Sequence, residues 1–307
     1  MSSPAHNPLT VQVAVESWQV DPAALLLIVA LATGYAWCRR TAGDDAPPER
    51  APAYCFTAGL VTWLLATSSV IAVYAPVLFW MRSLQVLVLL FVVPFLLALG
   101  RPVTTLRAAL SQRGQDRVDH VLASRACRIA ASPLCTSAAM LGLPWLLYLT
   151  PWYVASMTGA VATLTRIALV VVGFGYFYAR VQSDPVPRRY PPLLSVGISV
   201  VESLGDGLLG LVLWLGPVIA YRYYEALQRD WGPSPRTDQS VGAGVLWIVG
   251  DVLGVPFLAV LFRRLSSHEK TRAREVDAEL EDDVAETAQP ALWWEADPQL
   301  NQRFRRG

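Results

Sequence analysis

Long apolar runs separated by short, arginine-bearing polar segments set the pattern of this chain. A helix needs about 20 mostly apolar residues to cross the hydrocarbon core of a bilayer. Stretches at 22–38, 53–74, 78–99, 133–149, 158–179, 193–221 and 240–262 qualify. They predict an all-α, polytopic membrane bundle of about seven transmembrane helices. Residues 1–21 form a segment before the bundle, 22–263 the bundle itself, and 264–307 a polar tail. The sixth stretch is long, which predicts tilt or a kink near Gly216 and Pro217. Trp18, Trp37, Tyr74, Trp80, Tyr148, Trp152, Tyr178, Tyr221 and Trp231 fall near the ends of the stretches, as an interfacial aromatic belt does.

Charge orients the helices. Alternate loops hold Arg39, Arg40 and Arg50, then six arginines from Arg101 to Arg128, then Arg180, Arg188 and Arg189. The start of the tail adds Arg263, Arg264, Lys270, Arg272 and Arg274, while the opposite face has only Arg222, Arg229 and Arg236. The positive-inside rule then puts the N-terminus outside and the C-terminus in the cytoplasm. This reads as a multi-pass protein of the cell inner membrane. Residues 1–21 carry no Lys or Arg and no cleavage pattern, so they are not read as a signal peptide. The third loop is basic and partly amphipathic; it reads either as a solvated inside loop or as an interfacial helix on anionic lipid.

Five ionisable residues fall inside the predicted spans: Arg82, Arg166, Glu202, Asp206 and Asp251. Each costs roughly 2.5–3.5 kcal/mol if left facing lipid, so they should face one another or a wet cavity. Gln85 lies one turn after Arg82, and Glu202 and Asp206, four apart, share one face. The pattern predicts one polar cluster, with Arg166 on Asp206 or Glu202 and Arg82 near Asp251. Such a cluster is either a set of structural ion pairs or a pocket for an ion, a proton or a partner.

Composition agrees with the membrane reading: 54% of residues are hydrophobic, 16% are charged, and mean hydropathy is +0.38. A net charge of +1 gives no field that argues for nucleic acid. His6, His120 and His268 all lie in predicted termini or loops. Cys38, Cys55, Cys127 and Cys135 all fall near the cytoplasmic face, where disulfides do not persist. No pair has chelating spacing; the thiols read as packing residues or, as the alternative, a soft Cu(I) site. There is no phosphate loop, nucleophile elbow or catalytic triad, so the chain does not read as an enzyme. In the tail, Trp293 and Trp294 form a candidate docking peptide or fold back on the membrane surface.

Three motifs carry a resemblance. The first runs from Leu84 and Gln85 through Pro94 to Leu99, Gly100, Arg101, Pro102 and Val103. The second comprises Gly173, Asp184, Pro185, Pro187, Arg188 and Arg189. The third joins Trp231 and Gly232 to Asp238, Gln239, Gly242, Gly244, Trp247 and Gly250. In this order they resemble the CtaG family of cytochrome c oxidase assembly factors, seven-helix proteins associated with copper-centre formation in haem–copper oxidases. The resemblance implies a non-enzymatic factor of the respiratory chain with oxidase subunits as partners. It also implies copper, but family members carry histidines where this chain has Arg82, Val86 and Arg166. An arginine offers no lone pair to a metal. The sequence therefore predicts a scaffold or accessory subunit rather than a copper ligand. The alternative is an ion or proton transporter, or a channel-like protein, that uses the buried charges.

Overall fold

A computed structural model describes residues 7–42, 50–182, 184–186, 192–260, 262, 263 and 266. All the elements below lie in one compact unit, Met1–Leu261. The described residues form helices and contain no strand. Five helices are long and apolar enough to cross a membrane: Pro22–Ala42, Ala51–Tyr74, Phe79–Ala109, Gly159–Val181 and Pro235–Val260. The other two expected stretches are also helical, Pro133–Leu149 with 17 residues and Pro192–Leu215 with 24.

In chain order the elements begin with α1 (Val11–Glu16), α2 (Pro22–Ala42), α3 (Ala51–Ser68), α4 (Val70–Tyr74), α5 (Phe79–Leu87) and α6 (Val93–Leu99). Three short helices follow, α7 (Pro102–Ala109), α8 (Gln112–Ala123) and α9 (Arg125–Ala130). Then come α10 (Pro133–Leu149), α11 (Trp152–Ala155), α12 (Gly159–Val181), α13 (Pro192–Leu215), α14 (Tyr221–Ala226) and α15 (Pro235–Gly244).

A central rod runs through α5, a π turn at Val88–Val92, and α6. Pro94 explains the turn. It has no N–H to give the Leu90 carbonyl, so the ladder loosens there. Gly173 of α12 lies against that carbonyl: a Cβ at 173 would sit 2.1 Å from Leu90 O and 2.6 Å from Pro94 Cγ. The gap left by one residue's missing donor is closed by another's missing side chain. Beside it Phe177 packs on Phe95 and Phe257, with ring centroids 5.3 and 5.1 Å apart. By contrast α2 leaves Leu26, Val29 and Leu31 exposed, as suits a helix facing lipid.

The helices break where polar side chains can take the freed backbone groups. At Ser69 the α3 ladder ends, and Gln85 Nε2 donates to the Ala66 carbonyl at 2.8 Å. The expected sixth span also differs from its reading. Instead of a kink, α13 stops at Leu215, and the chain leaves the helix at Gly216 and Pro217. Gln239 closes that end by donating to Leu213 O at 2.7 Å and Pro217 O at 2.9 Å and accepting from Ile219 N at 2.6 Å. Arg236 donates to the Trp214 and Gly216 carbonyls. An apolar run cannot reveal this break, because the residue that seals it lies more than 20 positions later.

Candidate functional site

Among the described residues Arg82 is the largest fully buried side chain, 2% exposed in the first turns of α5. Its Nη1 donates to Gln85 Oε1 at 2.8 Å, and its Nη2 donates to Ser156 Oγ at 2.8 Å and Ser156 O at 3.4 Å. Among the described residues no carboxylate reaches it, and Nε has no acceptor. Neutral hydroxyls surround it. Tyr148 donates to Ser83 Oγ at 3.4 Å, and the Tyr153 and Tyr224 hydroxyls meet at 2.7 Å. Burial pushes both the Tyr153 and Tyr224 hydroxyls above their ordinary pKa, so this pair stays protonated and cannot supply a counter-charge.

The structure does not gather the predicted charges into one cluster. Arg166 pairs with Asp21 at 2.8 Å instead of Asp206 or Glu202. Asp21 also accepts from Ala24 N at 3.2 Å, so one carboxylate caps α2 and ties it to α12. Hydropathy places Asp21 just outside the first span; the legible signal is an acid directly before Pro22, at a helix N-terminus.

Glu202 takes a cation that the loop count sets outside the membrane. Arg180 is 3% exposed, and its Nη1 and Nη2 reach the two Glu202 oxygens at 3.0 and 3.1 Å. Tyr176 donates to Glu202 at 2.5 Å and accepts from Arg180 at 2.8 Å, and Arg180 also donates to Ser137. Counting Arg180 as a loop charge fails because α12 runs to Val181 and carries it inside. Asp206 and Asp251 line a cleft of about 80 Å³ with Glu202, Tyr176 and Phe257. Asp251 accepts from Ser203 Oγ at 2.6 Å. Thus the three acids share one cleft, Arg82 and Arg166 lie elsewhere, and Arg82 keeps only Gln85 from the predicted set.

The motif residues tie the bundle together. Asp238 is 1% exposed and accepts from Phe79 N at 3.0 Å and Trp80 N at 3.1 Å, capping the start of α5 from α15. Asp184 accepts from Val103 N at 2.9 Å and Thr104 N at 2.8 Å, capping α7 just beyond the far end of α6. Arg229 lies over Trp231, 5.4 Å from its centroid, and Trp231 meets Tyr74 edge-on. Gly232 has φ +75°, and a Cβ there would come within 2.9 Å of the Arg229 guanidinium. That turn walls an open pocket of about 520 Å³ lined by Tyr221, Tyr224, Glu225, Asp230 and Trp231. Trp247 seats on Gly207 and Gly210 of α13. Pro94, Gln239 and Asp238 thus act on helix geometry. Trp293 and Trp294 lie outside the described residues.

The sequence profile of the cytochrome c oxidase caa3 assembly factors matches residues 29–268. The chain belongs to this family. Uncharacterized proteins of Mycobacterium bovis and Mycobacterium tuberculosis are each 23% identical to it over 295 residues, 91% of this chain and 44% of theirs. One of Mycobacterium leprae is 25% identical over 75% of this chain and 36% of its own length. The chain therefore spans less than half the length of these relatives. No solved structure matches it.

The copper that the family resemblance implies does not fit the residues of this chain. At the expected ligand positions stand Arg82, the apolar Val86 (1% exposed) and Arg166, which is held by Asp21. Arg82's hydrogen-bond partners are amide, hydroxyl and carbonyl oxygens, whereas soft copper takes thiolate, thioether or imidazole. Among the described residues no group of three or more His, Cys, Asp or Glu stands close enough to hold a metal.

Proposed function

We propose that this assembly factor serves its oxidase as a membrane scaffold and does not carry copper to it. The observation behind the reading is Arg82: a fixed, fully buried cation with only neutral partners, at a position where a metal-ligating member of the family would carry a histidine. A buried charge without a counter-charge is costly, and costly intramembrane charges mark function by default. On this reading the bundle crosses the inner membrane seven times, with Arg82, Asp238 and the Trp231 pocket toward the outside and Arg180 toward the cytoplasm. An oxidase subunit docks on the Asp238 end, where the 520 Å³ pocket opens. The buried charges then organise the scaffold instead of lining an ion path.

The test is metal analysis of the chelator-washed full chain together with its co-purifying subunits. The reading expects oxidase subunits in the sample and copper well below one ion per chain. Stoichiometric copper retained by the chain after washing overturns it. Serine variants of Cys38, Cys55, Cys127 and Cys135 would then show whether the thiols hold the metal.

A further inference from the structure

The helices α8 and α9 bury little: Val118, Leu122 and Cys127 are only half-buried. None of their 12 and 6 residues is buried in the fold. Helices shorter than about 12–15 residues are marginal in water without packing. Their exposed side chains carry one chemistry. Arg113, Arg117 and Val121 follow one another every fourth residue along α8, so they share a face. On α9, Arg125, Arg128 and Ile129 share a face in the same way. All four arginines are exposed, Val121 and Ile129 are 62% and 54% exposed, and Leu134 at the start of α10 is 80% exposed. Of the two acids on α8, Asp119 is taken by Arg107 at 2.8 Å and Asp116 accepts from Gln112 at 3.3 Å, which leaves the four arginines in excess. The anchorage is one-sided. Gln115 donates to Arg107 O and Leu110 O at 3.1 Å, holding α8 to α7, and Asp184 holds α7 to the bundle. Both ends of the segment continue into apolar helices, α6 through α7 before and α10 after.

We propose that α8 and α9 lie on the membrane as a docking face for anionic phospholipid. Val121, Ile129 and Leu134 enter the acyl boundary, and Arg113, Arg117, Arg125 and Arg128 hold headgroup phosphates. The test is hydrogen exchange of amides 112–130 in the full chain. It is reconstituted in nanodiscs of phosphatidylcholine alone, or with about one phosphatidylglycerol in three. Exchange is expected to be about tenfold slower in the anionic discs, with the difference erased by molar salt. The variant Arg113→Gln, Arg117→Gln, Arg125→Gln, Arg128→Gln should lose the difference, while unchanged exchange in α5 and α6 shows that it keeps its fold. Equal exchange of the natural chain in both discs overturns the proposal, and this comparison needs no variant. Protection that survives in the four-fold variant overturns it too. So does protection conferred by inorganic phosphate in phosphatidylcholine discs, because it would show free-anion binding instead of a lipid surface.

Discussion

Two buried arginines near opposite ends of one bundle are kept in opposite ways. Arg180, 3% exposed, grips both oxygens of Glu202 and has Tyr176 and Ser137 besides. Arg82, 2% exposed, has an amide, a hydroxyl and a carbonyl. A paired buried charge is compensated, and breaking the pair leaves the other half stranded. An arginine held by neutral dipoles has no half to strand. Its desolvation is met only by hydrogen bonds worth about 1.5–3 kcal/mol each. The first arrangement therefore explains itself as structure, whereas the second asks for another reason to exist. Arg166 is the intermediate case, paired with Asp21 at 2.8 Å but 15% exposed in its side chain.

Substitution tells the two arginines apart. The largest effect belongs to Glu202→Ala, which strands Arg180 and should cost about 3–5 kcal/mol in thermal unfolding of the detergent-solubilised chain. Adding Arg180→Met should recover part of that loss; a Glu202→Ala chain as stable as the natural one would remove the distinction between the two arginines. Next is Gly173→Ala, midway along α12 between Arg166 and Arg180. Its Cβ would strike the Leu90 carbonyl, and the rod and α12 must separate at a cost of about 1–3 kcal/mol. No loss of melting temperature would mean that the rod is not packed on α12 as described. Gln239→Ala frees two carbonyls and one amide at the end of α13 and should cost about 1–3 kcal/mol. Amide exchange should speed up around Ile219 but leave α12 unchanged. Smallest is Asp21→Asn, which keeps a cap for Ala24 while weakening the pull on the partly exposed Arg166. A shift of about 1–2 kcal/mol is expected in the same unfolding assay, between the cost of an exposed pair and that of a buried one.

Hydropathy made the apolar helices readable, because each must satisfy its own backbone within lipid and so spells out its length. The three motifs, read together, made the family readable. Partnerships between charges were not. Arg166 and Asp21 are 145 positions apart, and no spacing rule connects an acid before one helix to a base inside another. Arg180 was hidden by a two-residue extension of α12 past the predicted end at 179. The roles of Asp238 and Gln239 were hidden as well, since each serves an end of a helix other than its own. By contrast Arg82 and Gln85, three apart on one helix, were legible as neighbours, and they bond at 2.8 Å.

On the proposed function, Arg82 serves assembly of the oxidase and not the stability of the chain. The direct measurement is Arg82→Met, scored in parallel for thermal unfolding of the purified chain and for the amount of assembled oxidase in cells that carry only this copy. Methionine removes the buried charge with its desolvation cost and leaves one amide, one hydroxyl and one carbonyl without their donor, so unfolding should shift by about 1–2 kcal/mol. Assembled oxidase should fall severely even though the variant accumulates in the membrane. An Arg82→Met chain that unfolds as readily as Glu202→Ala would make Arg82 a structural residue, and one that supports full assembly of the oxidase would remove its role there.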